Sequence, residues 1–150
     1  MWEDKLQEIV QEKNIYGEKV NNGASEEEIQ IFIKEAKNEI EVNLPNEYVK
    51  ILSVVNGLEF NGFILYGIDQ YLLSRQQNQS INGLIEYNKI WYENDWQKKY
   101  IFLGESNISW YVYDLAECKY VELDNPSGRE NEVFSSLECM VEKLLSDALA

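Results

Sequence analysis

Apolar residues in this chain keep a helical spacing as far as Val55 and then switch to alternation, and that change of period fixes the order in which helices and strands can occur. Trp2, Leu6, Ile9 and Val10 recur at helical intervals through Lys13, with Asn14 and Gly17 as a stop. Ser25-Glu26-Glu27-Glu28 reads as a capping box, ahead of an apolar stripe of Ile29, Phe32, Ile33 and Ala36. Ile40, Val42 and Leu44 alternate as an extended connector into Pro45, which opens a third helix lined by Tyr48, Ile51, Leu52 and Val55 and closed by Asn56-Gly57.

Beyond Gly57 the period becomes two. Phe60 to Gly67 reads as a hairpin turning at Asn61-Gly62. Residues 70–83, rich in Gln, Asn and Ser, read as a surface loop. Leu84, Tyr87, Ile90 and Trp91 predict a short helix, and 92–96 a polar and aromatic loop. Strands are expected at 100–103, 108–115 and 119–123, and short links between them imply antiparallel neighbours. Asn125-Pro126-Ser127-Gly128 is a turn. Ser135 with Glu138 is expected to cap a last helix carrying Leu137, Met140, Val141, Leu144 and Leu145. The expected fold is therefore α+β: N-terminal helices, a central antiparallel sheet and a C-terminal helix, in one domain over residues 1–150.

Composition narrows the function. With no histidine among 150 residues, the commonest general base, triad partner and zinc ligand are all missing. A pair such as Glu105 and Asp114 could in principle cleave a glycoside, but among 27 acids such pairs arise by chance. No phosphate-binding glycine loop and no calcium-loop spacing is present. We therefore expect no catalytic residues, no metal and no cofactor. Cys118 and Cys139 lack CxxC spacing and are expected to be reduced, structural thiols.

A net charge of −14 is spread evenly, with 14 acids against 7 bases in residues 1–75 and 13 against 6 in residues 76–150. Such a body repels phosphate, which argues against direct binding of nucleic acid; its natural counterpart is a basic protein, and the alternative reading of the charge is that it serves only to keep the chain in solution. The two acids of Met1-Trp2-Glu3-Asp4-Lys5 and the lack of a long apolar stretch predict no secretory signal, no membrane span and a cytoplasmic location. Trp91-Tyr92-Glu93-Asn94-Asp95-Trp96 sets large rings beside carboxylates, a combination suited to an interface; packing of Trp91 and Trp96 on the body of the fold is the alternative.

The run Leu44-Pro45-Asn46-Glu47-Tyr48, the helix to Asn56-Gly57, and Glu59-Phe60-Asn61-Gly62-Phe63-Ile64-Leu65-Tyr66-Gly67 resemble the signature of the SUKH superfamily, the Smi/Knr-type domain. Gly104-Glu105-Ser106 leading into Trp110 to Leu115, and the helix after Glu132-Val133-Phe134, follow in the same order. The resemblance implies an immunity protein that binds, one-to-one, the basic nuclease domain of a cognate LXG-type toxin acting on RNA. The other reading it implies is a regulatory or scaffold module without a toxin partner. It also implies that Leu44, Pro45, Tyr48, Gly57 and Gly67 determine the fold and are not contacts. The expected partner-binding residues are Glu59, Asp69, Glu93, Asp95, Trp96 and Glu105, chosen as acids and an aromatic in predicted loops or sheet edges.

Overall fold

A computed structural model of the chain describes residues 1–73 and 80–150, so part of the predicted 70–83 loop, residues 74–79, lies outside the described residues. Helices α1 (Trp2–Ile15), α2 (Glu26–Ile40) and α3 (Asn46–Leu52) come first, and the hairpin β1 (Leu58–Phe60) and β2 (Phe63–Leu65) follows. Next come α4 (Leu84–Trp91), the strands β3 (Tyr100–Glu105), β4 (Ser109–Asp114), β5 (Lys119–Asp124) and β6 (Glu130–Phe134), and finally α5 (Leu137–Leu149). The six strands form one antiparallel sheet in chain order. This is the α+β arrangement read from the change of period.

Local chemistry explains the elements. Ser25 and Glu28 close a reciprocal capping box on α2. Asn61 and Gly62 both take positive φ, 51° and 81°, the geometry a two-residue hairpin turn needs. Tyr48, fully buried on α3, donates its hydroxyl to the Tyr66 carbonyl at 2.7 Å and ties the helix to the end of β2.

Several local expectations are corrected. The third helix stops at Leu52 and does not reach Asn56, because the chain must turn there to pass residue 67. A Cβ on Gly67 would lie 2.8 Å from the Gly57 nitrogen and 2.9 Å from the Asn56 carbonyl carbon, so this crossing admits only glycine. Asn56 seals it by accepting from the Ile68 N–H at 2.8 Å. The connector begins one residue later than expected: Ile40 still belongs to α2, Glu41 adopts a left-handed conformation, and residues 41–45 link α2 to α3. Strand β6 was not anticipated, since its Glu130, Asn131, Glu132 and Val133 are all exposed and show no apolar alternation. Ser136, not Ser135, caps α5, accepting from the Cys139 N–H. Both cysteines, read as structural, are free and exposed.

The sheet is covered on both faces. Trp110 and Tyr111 are neighbours on β4 and so point to opposite sides. The Trp110 ring meets Trp91 of α4 at 5.5 Å, whereas Tyr111 feels the charges of Lys143 and Asp147 on α5. Helix α4 therefore lies on one face and α5 on the other, with α1 and α3 packed against α5.

Two devices fasten α4 to the sheet. Asn88, fully buried, accepts from the Phe102 N–H at 2.8 Å and donates to the Phe102 carbonyl at 2.9 Å, standing in for a strand partner where β2 has already left the sheet. Asp69 accepts from the N–H groups of Ile85 and Glu86, each at 2.9 Å, and so caps α4 from sixteen residues upstream. Glu47 does the same for α5 through the Leu137 N–H at 3.0 Å.

Candidate partner-binding face

Direct cross-strand partners share a face, and the register places Glu59 opposite Ile64, Ile64 opposite Glu105, Glu105 opposite Trp110 and Trp110 opposite Leu123. A single row thus runs across five strands on the α4 side, with carboxylates on β1 and, at its centre, β3, and a tryptophan beside them on β4. Above it, Tyr66 and Tyr87 stack at 4.8 Å, and the Trp91 indole N–H donates to the Tyr66 hydroxyl at 3.2 Å. Burial, and after it Glu105, Glu86 and Glu59, hold the Tyr87 phenol above its ordinary range, so three carboxylates converge on that ring. Among the described residues none of Glu59, Glu86, Glu93 and Glu105 has a basic ion-pair partner.

The six expected contacts divide on this frame. Glu59 and Glu105 come together in the row. Trp96 is 44% exposed, and its buried edge packs on Trp110 at 6.1 Å, so it is both a surface ring and a packed one. Trp91 is half-buried against Trp110 and Phe102. Glu93 and Asp95 sit on the exposed link from α4 to Trp96, with Asp95 paired to Lys98 at 3.5 Å. Asp69 is corrected. At 3% exposure, with both carboxylate oxygens taken by the α4 N-terminus, it is a cap beneath the surface and offers nothing to a partner. The sequence marks Tyr87 only as part of a helix and Trp91 as part of both that helix and the aromatic 91–96 stretch, and it does not single out Glu86; the placement of α4 over β3 is what brings all three to the row.

Burial raises the Glu105 carboxyl above the usual range, and the Tyr66 hydroxyl pulls part of that back. Folding therefore takes up a proton between the ordinary carboxylate range and the raised value. The stability tied to Glu105 is complete below that range and is lost as pH rises through its folded value. Glu105→Gln is accordingly expected to melt at a higher temperature than the parent at pH 7, with the gap closing toward pH 4. Circular-dichroism melts at the two pH values check this, and an equal gap at both would contradict it.

Other clusters carry less. Glu105 and Asp114 cannot act as a pair: Asp114 sits opposite Tyr100, five residues along β3 from Glu105, about 16 Å at 3.3 Å per residue, too far for glycoside hydrolysis. Asp114, Glu117 and Glu130 do gather their oxygens within 4.8 Å. The Lys119 ammonium sits 3.1 Å from Glu117 and 3.5 Å from Glu130, and one Asp114 oxygen accepts from the Ala116 and Glu117 N–H groups, so the cluster already holds its counter-charge.

The Tyr48 tether, the Asn56-Gly57 crossing at Gly67 and the meander that follows lie within residues 23–143, and that span matches the sequence model of the SMI1 / KNR4 family (SUKH-1). The chain belongs to that family. Residues 23–143 run from the loop before α2 into α5, so both the crossing and the acidic row fall inside the SUKH-1 match. SUKH-1 is a family of binding proteins known for immunity proteins of toxin–immunity systems. No curated protein matches the chain. Among the described residues no helix is long and apolar enough to cross a membrane.

Proposed function

We propose that this SUKH-1 chain is an immunity protein that binds and neutralises the toxic C-terminal nuclease domain of a cognate LXG-type toxin, one-to-one, in the cytoplasm. The observation that carries the reading is the unpaired acidic row, Glu59 and Glu105 with Glu86 beside them, framed by Tyr87, Trp91 and Trp96. A nuclease presents Lys and Arg to phosphate, and a face of carboxylates and large rings answers that surface in charge and in buried area. The contact set is Glu59, Glu93, Asp95, Trp96 and Glu105, now without Asp69. The protein acts by occupancy and performs no chemistry of its own. A regulatory or scaffold module would share the fold but not the toxin.

Co-expression of the chain with the toxin domain encoded beside it tests the reading. Growth rescue together with co-purification is the expected result, and continued toxicity without a complex would remove it. The association rate measured by stopped flow is further expected to fall about tenfold or more between roughly 0.05 and 0.5 M salt, because screening shortens the reach of steering. A rate indifferent to salt would take electrostatic steering out of the account.

A further inference from the structure

The outer edge of β1 is open. Phe60 and Phe63 flank the two-residue turn and form its closing hydrogen-bonded pair, so in the next pair, Glu59 with Ile64, the main-chain groups point away from each other. Those of Ile64 turn to β3, where its carbonyl oxygen lies 2.5 Å from the place a Cβ on Gly104 would take. By the same alternation the Glu59 N–H and C=O face outward, and among the described residues no group takes them up. They open into a groove of about 900 Å³ between the sheet edge and the end of α1, whose far wall carries Tyr16 with both acids and bases, Glu12 and Glu18 beside Lys13 and Lys19, so that Glu59 supplies the acid on the strand itself. Asn21 closes only the start of this edge, donating to the carbonyls of Asn56 and Gly57 and to that of Ser80. Tyr16 stands over the groove 77% exposed.

The other sheet edge is different. On β6 a bulge falls opposite Glu122 and Leu123, and Glu130 and Glu132 stand exposed, features that discourage strand pairing. On β1, three residues long, only a short strand can add, and two such edges bearing Glu59 would set like charges opposite each other.

We propose that the β1 edge receives an extended segment of the partner protein, which adds as a seventh strand and carries a Lys or Arg at the position paired with Glu59. This rests on the reading that the chain binds a toxin domain, and it names how. Main-chain bonds to Glu59 supply affinity whatever the partner's sequence, while the paired basic side chain lies at the end of the acidic row and supplies selectivity. Tyr16 closes over the added segment from the groove's far wall.

Hydrogen exchange at the Glu59 amide, in the chain alone and in complex with the purified toxin domain encoded beside it, decides the matter. Exchange is expected to be fast in the free chain and to slow by about a hundredfold or more on binding. Glu59→Pro deletes the outward N–H without removing a ladder bond and is expected to weaken binding about a hundredfold. Glu59→Gln, which keeps the donor, and the surface variant Tyr16→Ala each weaken it about tenfold. Should the amide stay fast in a complex that forms normally, strand addition is wrong and the immunity reading stands. Protection that rises with the concentration of the chain alone would make a second copy the occupant and overturn the proposal. If the wild-type chain does not bind the domain, both readings fall. Should Glu59→Pro not fold, wild-type exchange and the affinity of Tyr16→Ala still separate these outcomes.

Discussion

Asn88→Ala is expected to lower stability by about 4 kcal/mol, read as a fall in the urea midpoint at unchanged slope. The Asn88 amide gives the Phe102 N–H and C=O their partners and also donates to the Leu84 carbonyl at 2.8 Å, all in a site closed to water. Alanine leaves two main-chain groups of a central strand buried and unmet, at about 1–3 kcal/mol each, and adds a small cavity. Leucine at the same position fills the space but meets neither group, so Asn88→Leu is expected to recover little. A loss under about 1 kcal/mol in either variant would mean that β3 finds other partners when α4 lets go.

Reversing Glu59, Glu93, Asp95 and Glu105 together to lysine is expected to weaken toxin binding by about a thousandfold or more, equivalent to about 4 kcal/mol. Attraction is replaced by repulsion at four positions facing a basic surface, and a desolvated like-charge pair costs several kcal/mol. Titration calorimetry with the toxin domain reads the affinity, and a melting curve of the free variant separates binding from folding. Unchanged affinity in a folded variant would move the interface elsewhere on the SUKH-1 surface. Asp69→Lys belongs to a different experiment: it is expected to unfold the chain, because it removes the α4 cap and buries an ammonium there.

Much of the fold was legible because hydrophobic period and turn chemistry are local. The Ser25–Glu28 box, the Asn61-Gly62 turn and the meander of β3 to β5 all follow from residues within a few positions of one another. Strand β6 was not legible, since a strand exposed on both faces carries no alternation to read. Nor was the true end of α3, where the crossing at Gly67 overrides local preference. Half of the candidate face could be counted from the hairpin, which sets Glu59 opposite Ile64; the other half required the register of β2 against β3, separated in sequence by α4 and its loops. Asp69 misled for the same reason. A carboxylate after a strand looks like surface until a helix that starts fifteen residues later is set upon it.

The caps at Asp69 and Glu47 also shape how the chain comes together. Neither α4 nor α5 carries in its own segment all that its first turn requires; the acid arrives from a stretch made 16 to 90 positions earlier. During synthesis those acids emerge well before the helices they serve. Secondary structure and long-range docking must then arise together in the later half of the molecule, so that α4 and α5 are among its most interdependent parts and not seeds from which it grows.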